Sequence, residues 1–356
     1  MHEQIHNRAA LFANLPEPLQ SDRLQEIRQF HAQNPRSIIV LDDDPTGTQT
    51  VSNIPVLTRW DEAVIATELR AKTALFFILT NSRSLPTDQA EALAETIGQN
   101  IWKASAKTDR KPIVISRSDS TLRGHYPAEV DALAKELHLQ DSIELLVPAF
   151  FEGGRYTIGD IHYVAEGETL VPAAQTPFAK DKAFGYRSSQ LAEWILEKRA
   201  AEFPSQQVSG ISLSHIRSGE GQDLREFIQT MPDKQICFAN AANDRDLQQL
   251  ALACLQSNRD ILYRTAASFV SALAGQEKKA LLRHDELVQS SDHGGLMVVG
   301  SYVPKTTRQL QFFLSQSSLH CLEVDVKKVL TDQAILPAEL ARFGNSGTSI
   351  PSVRAE

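Results

Sequence analysis

The sequence predicts an α/β protein of two domains: an amino-terminal parallel, doubly wound sheet, and a second, carboxy-terminal α/β unit. Three observations carry this. Four short apolar runs, Ser37–Leu41, Ala74–Leu79, Pro112–Ile115 and Ile143–Val147, lack polar alternation, as strands buried on both faces do. Helix-period segments separate them, and strands alternating with helices imply right-handed crossovers between parallel strands. A stretch rich in charge, Ser and Gly, Glu277–Gly295, then interrupts the pattern before LMVVGS opens it again. The expected division is residues 1–276 as one domain, 277–295 as linker and 296–356 as part of a second domain.

In chain order, Leu24, Ile27 and Phe30 share one face of a first helix. The run SIIVL follows, then a helix over Asp61–Arg70, the run ALFFIL, and a helix over Asp88–Ala106 with Ala90, Leu93, Ile97 and Ile101 on one stripe. Asp88 with Glu91 resembles a capping box after Pro86. The run PIVI precedes a helix over Pro127–Leu137, and IELLV follows it. From Ser188 the pattern continues as helix SSQLAEWILEKRAAEF, runs VSGISL and QICFAN, helix DLQQLALACLQ and run ILYRT.

The chain has 356 residues, 42% hydrophobic and 22% charged, which suits a soluble globular protein rather than a disordered or fibrous one. No apolar run approaches the roughly 18 residues that span a bilayer, and MHEQIHNRAALF has no leader-like pattern, so the expected location is the cytoplasm. A net charge of −8 disfavours nucleic acid and anionic membranes as partners. Cys237, Cys254 and Cys321 have no disulfide or zinc spacing and are expected to be buried thiols.

Ligands of open parallel sheets bind beyond the carboxyl ends of the strands. The four runs end in four polar loops: Asp42-Asp43-Asp44-Pro45-Thr46-Gly47-Thr48, Thr80-Asn81-Ser82-Arg83, the segment Ser116 to His125, and the segment Pro148 to Thr157. Arg83, Arg117, Arg123 and Arg155 are thereby expected at one mouth. Guanidinium forks bind carboxylate or phosphate, and Asp accepts from sugar hydroxyls or acts as a base, so the chemistry suggested is a polyhydroxylated acid. The competing reading pairs these Asp and Arg residues with one another. Three adjacent carboxylates need a cation, a hydroxyl-rich ligand or an Arg among them.

Other motifs compete. VLDDDPT fits the DxDxT pattern of haloacid-dehalogenase-type phosphatases, with Asp42 as nucleophile, but no acidic pair for magnesium is found downstream. His2-Glu3-Gln4-Ile5-His6 matches HExxH at an unshielded terminus and is read as a chance match. Neither GxxxxGK[ST] nor GxGxxG occurs.

Asp43-Asp44-Pro45-Thr46-Gly47, Ser118-Asp119-Ser120-Thr121-Leu122-Arg123-Gly124, PAFFEGGRYTIGDIHYV, FGYRSSQL, LYRTAASFV and the segment Gly300 to Gln309 occur in order over about residues 37–325. In these blocks the sequence resembles the four-carbon acid sugar kinase family. The resemblance implies an ATP-dependent kinase of threonate, erythronate or 3-oxo-tetronate type substrates, with magnesium bridging phosphate oxygens. It implies Asp43 or Asp44 as the base. It places Thr46, Gly47, Ser82, Arg83, Arg117, Asp119, Ser120, Arg123, Gly124 and Arg155 at the acid sugar, and Ser301 and Thr306 at the nucleotide. No metal ligands are assigned. The family's later Gly-Gly phosphate loop has no match after Gly295, so the expectation is an incomplete nucleotide domain, poor solubility, and a homodimer that covers it. The alternative is an inactive fragment that still binds substrate.

Overall fold

The structure is a computed structural model of the chain. It describes residues 3–199, 203–219 and 221–280, and beyond them 283, 286, 297–301, 303–317, 321–332, 337 and 352–355. The chain divides into two compact units, Met1–Lys279 and Ala280–Glu356.

In the first unit the strands are β1 (His6–Asn7), β2 (Ile38–Asp42), β3 (Val56–Leu57), β4 (Leu75–Leu79), β5 (Ile113–Arg117), β6 (Ile143–Val147), β7 (Arg155–Ile158), β8 (Ile161–Glu166), β9 (Thr169–Pro172), β10 (Val208–Ile211), β11 (Ile236–Ala239) and β12 (Ile261–Thr265). The helices are α1 (Arg8–Ala13), α2 (Leu24–Gln33), α3 (Glu62–Ala71), α4 (Thr87–Thr108), α5 (Ala128–Glu136), α6 (Leu191–Lys198), α7 (Leu213–Arg217), α8 (Gln222–Thr230), α9 (Asp244–Gln256) and α10 (Ala267–Leu273). Eight strands form one parallel sheet in the order β10-β11-β6-β12-β5-β2-β4-β3.

Both faces of that sheet are covered, which is why its strands are apolar without alternation. Ile38, Val40, Phe77, Ile115, Leu145 and Tyr263 face a core that includes Ile27 of α2, Ile228 of α8, Leu250 of α9 and Phe269 of α10. Their neighbours Ile39, Leu41, Phe76, Ile78, Val114 and Leu262 face the opposite core, with Leu69 of α3, Ile97 of α4, Val130 of α5 and Trp194 of α6. Each large side chain buried this way contributes about 1.5–3 kcal/mol. The α/β doubly wound prediction is therefore met.

Several local expectations need correction. The predicted capping box of Asp88 and Glu91 does not form: α4 begins at Thr87, after Pro86, with no side-chain cap. A box is present at α9, between Asn243 and Asp246. The helix from Ser188 is shorter than its pattern, covering Leu191–Lys198. Strand β5 runs two residues past its prediction, so Ser116 and Arg117 lie in the sheet rather than in the loop after it. Cys237 and Cys254 are buried, but Cys321 is exposed.

A second, antiparallel sheet of order β1-β9-β8-β7 was not anticipated. Ile158, Ile161, Tyr163 and Leu170 make its core with Leu213 and Ala242. The predicted loop from Pro148 to Thr157 contains most of β7, so Arg155 lies in a strand rather than a loop, and the sequence predicts no element over β1, β8 or β9. Glu3 bears on the HExxH match: its carboxylate accepts from the backbone N–H groups of Ser189 and Gln190 and from both Ser188 and Ser189 hydroxyls. It caps the turn before α6. His2 lies outside the described residues, and His6 pairs with Leu170 in β1.

In the second unit, β13 (Val298–Val299), β14 (Cys321–Val324) and β15 (Ser352–Ala355) form a parallel sheet of order β13-β15-β14, with helices over Pro304–Ser315 and Val326–Thr331. Of the predicted linker 277–295, residues 281, 282, 284, 285 and 287–295 lie outside the described residues. Leu296 and most of the segment from 338 onward do too. No described helix is long and apolar enough to cross a membrane.

Candidate functional site

Because the strands of the large sheet are parallel, their carboxyl ends share one edge. Strand β2 lies between β4 and β5 there, where the connections leave in opposite directions, the place at which such sheets bind ligands. At this edge β2 delivers Asp42, Asp43 and Asp44, the turn after β4 delivers Ser82 and Arg83, and β5 delivers Arg117 and Ser118.

The three carboxylates have different partners. Asp42 is 2% exposed and pairs with Arg117, whose other amino group reaches Gln49. Burial, only partly offset by Arg117, pushes the Asp42 carboxyl up to about 6. Asp43 is also buried; it accepts from Arg83 Nε at 3.1 Å and from Ser118 Oγ at 2.7 Å. Asp44 pairs with Arg83 Nη1 at 2.6 Å and accepts from the backbone and hydroxyl of Thr46. Burial raises the Asp44 carboxyl, but Arg83 and Thr46 outweigh it and hold it below the usual range. Burial likewise opposes the charge on Arg83, and Asp43, Asp119 and Asp44 more than restore it. One guanidinium thus bridges two carboxylates, which resolves the repulsion that three adjacent Asp residues pose.

A second group sits beside the first. Arg123 Nε donates to Asp119 Oδ2 at 2.7 Å, and Thr121 also bonds that oxygen. Burial pushes the Asp119 carboxyl up, while Arg123, Arg83 and Thr121 bring it below the usual range. The guanidinium carbons of Arg123 and Arg155 lie 5.1 and 5.6 Å from the centre of the Phe178 ring. Arg155 donates to the Gly153 carbonyl, but its buried Nε has no hydrogen-bond partner. Burial lowers its affinity for its proton, and the Arg123 charge adds to that. Two cations therefore share one ring, with one of them incompletely bonded.

The remaining predicted residues fall as follows. Ser82 is buried and donates to Glu129 of α5. Ser120 is buried, and its carbonyl bonds His162 Nε2 at 2.7 Å. Gly124, at φ +123°, sits where a Cβ would lie 2.6 Å from Ser118 Oγ, 2.9 Å from Arg264 Nη2 and 3.1 Å from Asp43 Oδ2. Gly47 is exposed, at φ +82°, and a Cβ there would meet nothing within 4 Å. In the second unit, the hydroxyls of Ser301 and Thr306 are 3.1 Å apart at the start of the helix over Pro304–Ser315. The pairing of Arg with Asp that the sequence left open is observed for Arg83, Arg117 and Arg123; Arg155 has no carboxylate within ion-pair distance among the described residues.

Sequence reasoning missed Arg264, Glu129, Phe178 and His162. Arg264 had a signal, a lone arginine in the apolar run ILYRT; the others had none before the packing was known. Asp42, the nucleophile of the phosphatase reading, is buried behind Arg117, and that reading goes no further. Among the described residues no group of three or more His, Cys, Asp or Glu is placed to hold a metal ion. A cleft of about 400 Å³ lies at the opposite edge of the sheet, but Arg36 and Arg259 there bond backbone carbonyls and Lys111 bonds Asp260.

Residues 38–273 match the family model described as a sugar-binding N-terminal domain. The chain belongs to that family. The chain is 27% identical over 303 residues to a D-threonate kinase of Salmonella typhimurium, covering 83% of this chain and 65% of the relative. It is 25% identical over 307 residues to a D-erythronate kinase of Heliobacterium modesticaldum, covering 83% and 64%. The chain thus spans somewhat less than two-thirds of the length of these curated relatives. These matches bear out the likeness to the four-carbon acid sugar kinase family. Among solved structures, a domain of unknown function from Bordetella bronchiseptica, described with bound citrate as a domain-swapped dimer, has a TM-score of 0.52 at 18% identity and covers 89% of this chain and 73% of that one. A protein described as a putative tRNA synthase of Salmonella typhimurium has a TM-score of 0.55 at 18% identity, with 90% and 74% covered. At this identity both speak for the fold alone.

Proposed function

We propose that the chain acts in the ATP-dependent phosphorylation of a hydroxyl on a four-carbon acid sugar of threonate or erythronate type. The observation that carries this is the pair Arg123 and Arg155 on one face of the mouth, beside Asp43 and Asp44 bridged by Arg83. The chemistry divides accordingly. Arg155, with its unpartnered Nε, and Arg123 receive the acid's carboxylate in a bidentate or shared contact. Asp43 or Asp44 accepts the proton of the reacting hydroxyl, and Arg83, already between them, offsets charge on the transferring phosphoryl group. Arg117 is given a supporting role, since Asp42 and Gln49 already occupy it. The names of the two curated relatives support the substrate class.

ATP with magnesium is the proposed phosphoryl donor. Ser301 and Thr306 present two hydroxyls at a helix start, a donor set suited to phosphate oxygens. Magnesium would neutralise those oxygens; no protein ligand for it is assigned. A homodimer and a cytoplasmic location belong to the same proposal.

Calorimetric titration with D-threonate and D-erythronate tests the reading, alongside acid-dependent ATP consumption. Arg155→Ala and Arg123→Ala should each weaken acid binding by about 10- to 100-fold, the worth of a charge-assisted hydrogen bond. Binding of neither acid, or binding unchanged in both variants, refutes it. Acid binding without ATP consumption favours a substrate-holding role only.

A further inference from the structure

Asp43 is held by a relay that begins on the far side of the sheet edge. Arg264, 4% exposed, lies in β12 opposite Ser116 of β5. Its guanidinium donates to Ser116 Oγ at 2.8 Å and to Ser118 Oγ at 2.7 Å. Ser118 Oγ is in turn 2.7 Å from Asp43 Oδ2 and 2.9 Å from the Arg123 carbonyl. Behind Arg264, Glu129 Oε2 lies 3.5 Å from Nη1 and has no hydrogen bond of its own, while Oε1 accepts from Ser82. A buried guanidinium needs such a counter-charge.

The hydroxyl chemistry gives the relay its direction. Ser118 has one proton and two lone pairs. Arg264 has no acceptor, so its N–H must occupy a lone pair of Ser118, and the single Ser118 proton is left to choose between Asp43 and the Arg123 carbonyl. When Asp43 is ionised, the Ser118 hydroxyl keeps its proton and donates it in a hydrogen bond to Asp43 Oδ2. When Asp43 takes a proton from a substrate hydroxyl, the Ser118 proton turns to the Arg123 carbonyl, and no two donors face each other. Gly124 keeps the space open, because any Cβ there would meet Ser118, Arg264 and Asp43 together.

We propose that Arg264, neutralised by Glu129, is a positioning residue that fixes the Ser118 hydroxyl as a two-position donor to Asp43. This rests on the proposed function and takes Asp43, of its two candidates Asp43 and Asp44, as the base. The other charges that face Asp43 are Arg83 from the turn after β4, Asp42 and Asp44 on either side, and Glu129 from α5. They remain in place in the variants below, except where Glu129 is itself changed.

The test has two readouts on the full chain. In acid-dependent turnover, Arg264→Gln and Ser118→Ala should each lower kcat about 10- to 100-fold with little change in KM, and the double variant should be no slower than the worse single. Multiplying effects, or losses in KM alone, overturn the proposal. The second readout needs no turnover: the buried Ser118 hydroxyl proton, assigned in the NMR spectrum by its loss in Ser118→Ala, should move in Arg264→Gln. If Arg264→Gln does not fold, Glu129→Gln takes its place and should move the same resonance. An unmoved resonance overturns the proposal. Failure of the wild type to turn over either acid defeats the proposed function but leaves the resonance to decide the relay.

Discussion

Replacing Gly124 by Ala isolates what its empty position does. The residue sits at φ +123°, outside the range that L side chains adopt, and holding a non-glycine residue there costs about 1–3 kcal/mol. The added Cβ would also stand 2.6 Å from Ser118 Oγ and 2.9 Å from Arg264 Nη2. Neither atom can yield freely: Ser118 is bonded to Asp43, and Arg264 is bonded to Ser116 and Ser118. Overpacking of this kind costs about 1–3 kcal/mol more. The expected loss is therefore about 2–6 kcal/mol, a large share of the roughly 5–15 kcal/mol that a folded chain has. Gly47→Ala is the control. It too has positive φ, +82°, but its Cβ would meet nothing within 4 Å, so only the backbone cost of about 1–2 kcal/mol applies. Urea unfolding of both variants measures the difference. Equal losses in the two, or a Gly124→Ala loss below about 1 kcal/mol, would show that the packing around Asp43 is not tight and would refute the reasoning.

Two further predictions concern stability. Burial lowers the His162 imidazole to about 4, from an ordinary value near 6.5, so the folded chain resists protonation there and stability falls as pH drops from about 6.5 to about 4. Asp42 works the other way: burial raises it to about 6, so its contribution grows as pH falls from 6 towards 4. In urea unfolding from pH 7 to pH 4, His162→Gln should therefore lose less stability than wild type and Asp42→Asn more, by about 2–3 kcal/mol each; parallel curves would reject the assignment. Glu3→Ala should cost about 2–3 kcal/mol, because the buried Ser189 loses the carboxylate that caps its turn. A neutral result by thermal melting would return Glu3 to an ordinary surface role.

The local part of the fold was legible in the residues themselves. Unalternating runs such as Ala74–Leu79 can be satisfied only when both faces are covered, and stripes such as Ala90, Leu93, Ile97 and Ile101 supply the cover. That pattern, repeated, specifies a parallel layered sheet, and the polar loops must then gather at one edge. Asp43, Asp44 and Arg83 were readable as a group for that reason. The antiparallel sheet was not, because its short strands follow a Gly-rich loop and are ordered by pairing with one another and with His6–Asn7, far away in sequence. Nor could the sequence tell which Arg would be consumed by which Asp.

What the sequence by itself determined is the layered architecture and the edge at which chemistry collects, since both depend on local patterns of hydrophobicity. Tertiary structure alone decided the order of the strands. By placing β12 between β5 and β6, it set Arg264 beside Ser116 and Ser118, some 148 and 146 positions away, and brought Glu129 within 3.5 Å of it. A hydrogen bond depends on the register across strands, and register is fixed by packing of the whole sheet rather than by any one segment.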